Sequence, residues 1–381
     1  MKEFIKKNII FSLIVLFFIC FTSCGKEKEW LVVDGYGYPE MVDLSPSFIQ
    51  DETKKVKNII LILGDGMGYN QVEVTKMLLE EGKSLDLDLL TDKGEIITSC
   101  LDNYVTDSAA AATAYATGVK TIYERAGRDK DGNDLKTILD YAHEAGKKTG
   151  VVTDKILKDG TPLAFTAHMD NRYLYPYTIA PQQITSNVDI MMGSGKEYFQ
   201  DLEEEMEANG YGFAYTKEEL MNLESEKIIG AFSNKTMMME AQIYPTLTEM
   251  AYKALNVLSK NEEGFFLLIE SGQIDNFCDD GDIEGMARKV VLLDQVLRLS
   301  MNFAKENPDT LIIVLADHET GGLVIGEGEP NKSWFTEPTR YHTPVNVPLY
   351  AYGMNSSIFN GKTIDNTEVF EYMMKLMGLE K

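Results

Sequence analysis

Chemistry in this sequence gathers where short apolar runs stop. "NIILILGDGMG" ends in Asp65 between glycines, "FFLLIESGQID" in Glu270 and Asp275, and "TLIIVLADHETGG" in Asp317 and His318. His342 stands in "RYHTPVNVPLYAYG", just ahead of another such run. An aspartate after a strand is often a turn former, and a lone histidine is often structural, so each residue alone says little. Together they place several carboxylates and two of the chain's four histidines at one predicted edge. So many carboxylates cannot share a small space uncompensated. They are either spread apart or grouped around cations. Mixed nitrogen and carboxylate donors suit zinc, and all-oxygen sets suit magnesium. The glycines of "GDGMG" lack the spacing of a dinucleotide loop.

A second stretch, "VTDSAAAATAYATGVKT" (105–121), sets Asp107 and Ser108 before a run with little bulk. One reading is a helix start, with an N-cap followed by good helix formers. A helix start also presents free N–H groups and a positive end, which favours an anion. The small residues behind would let that helix pack closely beneath a crowded site. An unaided serine is a poor nucleophile and needs a base or a metal. No histidine stands beside Ser108, but metal-ligand types are plentiful, so the serine reads as metal-activated.

Elements that could position these groups alternate along the chain. Strands are expected at 58–63, 94–100, "KTGVVTD" (148–154), "VDIMMGSG" (188–195), "FFLLIES" (265–271), "TLIIVLAD" (310–317) and "VNVPLYAYG" (345–353), with helices near 70–81 and 135–146. Continuous apolar runs suit a sheet covered on both faces. Ile283, Met286, Val290, Leu293, Leu297 and Met301 step by three or four, the stripe of a covering helix. The expected fold is α/β, a three-layer sandwich about a central, mostly parallel sheet, in one domain over 56–381. In such folds ligands bind at the carboxyl ends of the strands. The acidic, Met-rich segment 196–245 reads as a variable insertion.

The 381 residues carry 36 Lys+Arg against 60 Asp+Glu, a net charge of −24. That field repels nucleic acid and anionic membrane. An anionic substrate would need local cations. Residues 1–23 read as a signal peptide, with basic Lys2, Lys6 and Lys7 before an apolar stretch too short to span a bilayer. "FTSC" resembles a bacterial lipobox with Cys24 as the lipidated residue, followed by a polar tether over 24–55. That implies an exported chain, lipid-anchored at the cell envelope. Cys100 and Cys278 allow at most one bridge, which makes no disulfide scaffold.

From about Asn58 to Gly353 the sequence resembles the alkaline phosphatases. The motifs, in order, are "LILGDGMG", "VTDSAAAATAYATGVKT", "DGTPLAFTAHMDNR", "FFLLIESGQID", "ADHETGG" and "YHTPVNVPLYA". The resemblance implies hydrolysis of small organic phosphate monoesters through a phosphoserine on Ser108. It implies that Arg172 clamps the phosphate oxygens, a geometry guanidinium supplies, and that Asp107 orients it. It further implies one zinc on Asp65, Asp317 and His318, a second on Asp275 and His342, and magnesium among Asp65, Thr161 and Glu270. A homodimer is part of the same implication.

The sequence departs from the pattern at Asp279, where the family places a histidine four residues after the aspartate of the second zinc site. Asp279 is read as an oxygen ligand in its place, with Cys278 beside it as another candidate. A third carboxylate-type donor would shift the metal preference of that site. Asn276 and Asp159 are expected on the magnesium side, while His143 and His168 read as structural. The alternative of a different class is a surface phosphate-binding lipoprotein, inactive because of Asp279.

Overall fold

The computed structural model describes residues 48–79, 84–103, 105–234, 243–336 and 341–381. The signal segment 1–23, Cys24 and most of the expected tether lie outside the described residues. The apolar runs do form strands: β1 (Asn58–Gly64), β2 (Asp92–Ile97), β3 (Lys148–Ile156), β4 (Ile190–Ser194), β5 (Gly212–Ala214), β6 (Ile228–Ala231), β7 (Phe265–Ser271) and β8 (Thr310–Ala316). Two short strands follow, β9 (Glu319–Thr320) and β10 (His342–Thr343), then β11 (Val347–Gly353) and β12 (Thr363–Asp365).

Ten strands make one sheet in the order β12-β2-β11-β8-β1-β7-β3-β4-β6-β5. Every residue of β1, β7 and β8 is buried, as their unbroken apolar runs require. Pairing is parallel throughout except at β11, which runs antiparallel to both β8 and β2. Its reversed direction puts the start of β11 at the edge where the parallel strands end. A residue ahead of β11, such as His342, therefore reaches that edge too.

Helices cover both faces. On one side lie α1 (Tyr69–Leu78), α5 (Leu247–Leu258) and α7 (Ile283–Glu306). The expected stripe of α7, from Ile283 to Met301, is buried. On the other lie α2 (Ser108–Thr117), α3 (Ile138–Glu144), α4 (Gly160–Thr166) and α8 (Asn366–Met377). A further helix, α6 (Gln273–Asp280), follows β7 directly.

Two expectations change. Residues 196–245 do not leave the fold: their described part supplies β5 and β6 at one end of the main sheet. The tether expected over 24–55 also ends early. Asp51 N–H donates to Asn355 Oδ1 at 2.7 Å, and Asn355 N–H donates to the Ile49 carbonyl at 3.0 Å. Among the described residues, no helix is long and apolar enough to cross a membrane.

Candidate active site

Parallel register sets the site. Gly64 is level with Ser271 and Ala316, and Thr153 with Glu270. Asp65, Glu270 and Asp317 therefore emerge together at the carboxyl edge. Gly66 turns the chain there with φ +76°, and a Cβ on it would lie 2.6 Å from Thr320 Oγ1. Only glycine suits that turn without strain.

Asp317 shows how tightly the edge is wired. Its Oδ1 accepts the N–H groups of Gly66 and His318, both at 3.0 Å. Its Oδ2 lies 3.3 Å from His318 Nε2 but accepts no hydrogen bond, although buried. A buried carboxylate oxygen left without a donor is a place for a cation. Burial pushes the Asp317 carboxyl up to about 6 and that of Glu270 up to about 7.

Among the described residues, two groups of metal-ligand types form. Asp65, Asp317 and His318 converge in one, and Asp275, His318 and His342 in the other. His342 arrives through the β9–β10 ribbon, where it pairs with Thr320. Its Nδ1 lies 2.7 Å from the Thr106 carbonyl, so that nitrogen carries the proton and Nε2 is left to face Asp275 Oδ1 at 3.6 Å. Such a backbone bond fixes the tautomer of a ligating imidazole. Burial, and then the neighbouring His342, hold His318 neutral, with its pKa well below the usual value. The two rings stack at 3.5 Å between centroids. Donors of nitrogen and carboxylate type, one of them with an unpaired buried oxygen, fit zinc.

Asp279 joins neither group. It lies one helical turn beyond Asp275 on α6, and His318 completes the second group instead. Cys278 does not join either; its Sγ is buried 4.0 Å from Gln71 Nε2, and both it and Cys100 are free.

Ser108 opens α2, whose ten residues are all buried. The stretch is a helix start. Asp107 is the N-cap, accepting the N–H groups of Ala109 and Ala110 at 3.2 Å, and so leaves Ser108 free to face the cluster. Ser108 Oγ lies 3.3 Å from His318 Nε2 and 3.5 Å from Asp65 Oδ1. The alanines let α2 and α4 meet at their starts, next to the strand ends.

Arg172 lies beside them. Its Nε is 3.7 Å from Asp107 Oδ2, its Nη1 is 3.3 Å from Asp159 Oδ1, and its Nη2 donates to the Tyr173 hydroxyl at 2.8 Å. Burial opposes the charge, but Asp159 and Asp107 hold the guanidinium ionised. Nε itself has no hydrogen-bond partner. Space for this arm comes from Gly160, where a Cβ would fall 2.5 Å from Arg172 Nη1 and 2.8 Å from the Ala109 nitrogen. Gly160→Ala is expected to fold but to misplace the arginine, lowering kcat/KM by about 10²-fold. Steady-state kinetics alongside a melting curve checks this, and an unchanged kcat/KM would contradict it.

Lys155 is a site residue that the sequence pattern does not mark, because the run read as a strand, 148–154, ends before it. Strand β3 continues to Ile156, past a register shift after Val152. Thr153 and Lys155 then share the site face, while Asp154 turns away and pairs with Lys289 at 3.0 Å. The charges of Asp159 and Glu270 act on Lys155, and Thr161 lies beside Glu270. Asn276 is exposed on α6. His168 bonds the Leu135 carbonyl at 2.9 Å, a structural use.

Known proteins share this fold. The family model described as alkaline phosphatase matches residues 56–341. Alkaline phosphatase 4 of Bacillus subtilis is 32% identical over 310 residues, covering 76% of this chain and 67% of the relative. The solved alkaline phosphatase of the Antarctic bacterium TAB5 superposes with a TM-score of 0.77 at 27% identity, covering 86% of this chain and 99% of its own. A mutant of that enzyme, described as holding magnesium in its M3 site, matches equally well at a TM-score of 0.77 and 28% identity, with the same coverage. The chain belongs to the alkaline phosphatase family, and hydrolysis of phosphate monoesters is the activity its fold serves.

Proposed function

We propose that Ser108 is the nucleophile and that hydrolysis passes through a phosphoserine. The observation that supports this is the position of Ser108 Oγ, within 3.5 Å of both Asp65 and His318 and at the positive end of a buried helix. Ser108 Oγ loses its proton to solvent and forms a bond to phosphorus as the bond from phosphorus to the ester oxygen breaks, and the leaving oxygen takes a proton from water. Water then attacks the phosphoserine, releasing inorganic phosphate and restoring the hydroxyl. Arg172, held by Asp107 and Asp159, binds two phosphate oxygens and fixes the line of attack. Zinc on Asp65, Asp317 and His318, and on Asp275 and His342, would supply the Lewis acidity that activates the serine and steadies the leaving oxygen. The resemblance implies magnesium at the third place, among Asp65, Thr161 and Glu270.

Substrates in this reading are small organic phosphate monoesters, drawn into an acidic protein by local cations. The net charge of −24 disfavours nucleic acid. The lipobox-like "FTSC" supports export and lipid anchoring through Cys24 at the cell envelope, and the family resemblance supports a homodimer. A second reading, a phosphate-binding lipoprotein without turnover, is favoured only by the absence of Asp279 from both metal groups.

Turnover separates the two. Zinc-loaded protein is expected to cleave an aryl phosphate monoester quickly at alkaline pH, and the matching diester and sulfate slowly. Phosphate binding without cleavage of any of the three would favour the binding reading. Asp279→His should raise zinc retention against a chelator about tenfold, since imidazole is the stronger zinc donor. Unchanged retention would show that position 279 does not face the second metal.

A further inference from the structure

We infer that the ammonium of Lys155 takes the third cation place, so that this enzyme works without the magnesium its relatives hold. The inference rests on the phosphatase reading of the site. Lys155 Nζ lies 2.5 Å from Asp65 Oδ2, 3.7 Å from Asp275 Oδ2 and 3.8 Å from Asp159 Oδ2. Its side chain is only 6% exposed. Three carboxylates from three different elements thus converge on one nitrogen.

The residues present do not fit a magnesium ion beside this lysine. Magnesium needs near-octahedral oxygen ligands at about 2.0–2.1 Å. Of the oxygens it would need, Asp65 Oδ2 is already bonded to Lys155 Nζ. Glu270 Oε2 accepts from the Thr153 hydroxyl at 2.5 Å, on the same face of β3 as Lys155. An ammonium a few ångströms away also repels any incoming divalent ion through a low-dielectric interior.

The placement of Lys155 is built in. Its stem crosses Gly272, where a Cβ would come within 2.7 Å of both Cγ and Cδ of the lysine. The backbone N–H of Lys155 bonds Thr153 Oγ1 at 2.9 Å, holding the end of β3 in place. The carboxylates of Asp65, Asp159 and Asp275 surround the buried ammonium and offset the cost of its burial. A fixed ammonium brings one positive charge where a magnesium ion brings two, and it needs no supply of metal. Lys155 acts through Asp65, which faces Ser108 Oγ at 3.5 Å, and is therefore a positioning residue.

The test is a metal count on the full chain. Wild-type protein, Lys155→Ala and Lys155→Ser are stripped with chelator, reloaded with zinc with and without excess magnesium, desalted and analysed for both metals. Expected: the wild type keeps zinc but no magnesium, and magnesium changes its rate by less than about twofold. The variants keep magnesium in an amount similar to the protein, melt higher when it is added, and gain about tenfold in rate from it. Stoichiometric magnesium in the wild type would overturn the inference even if neither variant folds. It falls also if folded variants, like the wild type, retain none. Zinc content and monoester turnover in the same wild-type samples test the phosphatase reading separately, since the magnesium count is decisive whether or not the protein is active.

Discussion

Ser108→Ala is expected to lose aryl phosphate turnover by at least about 10⁴-fold while keeping its zinc, because removing a nucleophile leaves only binding and electrostatics. The fold should not suffer. Asp107, not Ser108, caps α2, and alanine is a better helix former than serine. A melting temperature within a degree or two of wild type, with unchanged metal content, would show that the loss is chemical. Acid quenching of the wild type with labelled substrate should trap phosphate on the protein, and the variant should trap none. A variant turning over at the wild-type rate would remove Ser108 from the mechanism.

Asp317 carries the second large effect. Asp317→Ala is expected to lose about half of the bound zinc and at least about 10³-fold in rate, since a metal-borne charge at such a site is worth several kcal/mol. This variant also strands the Gly66 and His318 N–H groups that Oδ1 accepts, so its melting temperature should fall. Asp317→Asn separates the two roles. Its amide oxygen can still accept those bonds, but the neutral side chain is a weak ligand. The asparagine variant should melt like the wild type yet lose zinc to the same extent as the alanine variant. Full zinc retention in Asp317→Asn would mean that this carboxylate supports the turn and does not hold the metal.

Much of this was legible beforehand, for physical reasons. Strands β1, β7 and β8 are buried on both faces, so they must be apolar without a break, and their ends are plain to see. Asp65, Glu270 and Asp317 stand at those ends, and a parallel sheet gathers its strand ends at one edge. Ser108 was visible because a helix start with nothing bulky behind it can sit beneath a crowded site. Where polar residues continue a strand, the sign fails. The run "KTGVVTD" stops at Asp154, yet β3 continues to Ile156, because the buried ion pairs of Asp154 and Lys155 replace apolar contacts. The segment 196–245 misled in the same way: β5 and β6 are three and four residues long, too short to show a pattern among acidic helices.

By itself the sequence determined which side chains are available, and that the apolar runs form a covered sheet with carboxylates and histidines along one edge. Burial is a local property of composition, and a chain with such runs has few other ways to hide them. Which of those groups meet was decided only by the tertiary structure. The reversal of β11 and the β9–β10 ribbon bring His342 to Asp275, some 67 residues away in sequence (275 to 342). The end of β3 turns Lys155 onto Asp65, and Asp279 joins neither of the two groups that form among the described residues. Hydrogen bonds and ion pairs act over a few ångströms, and no spacing along a chain sets a distance of that kind until the sheet has closed it.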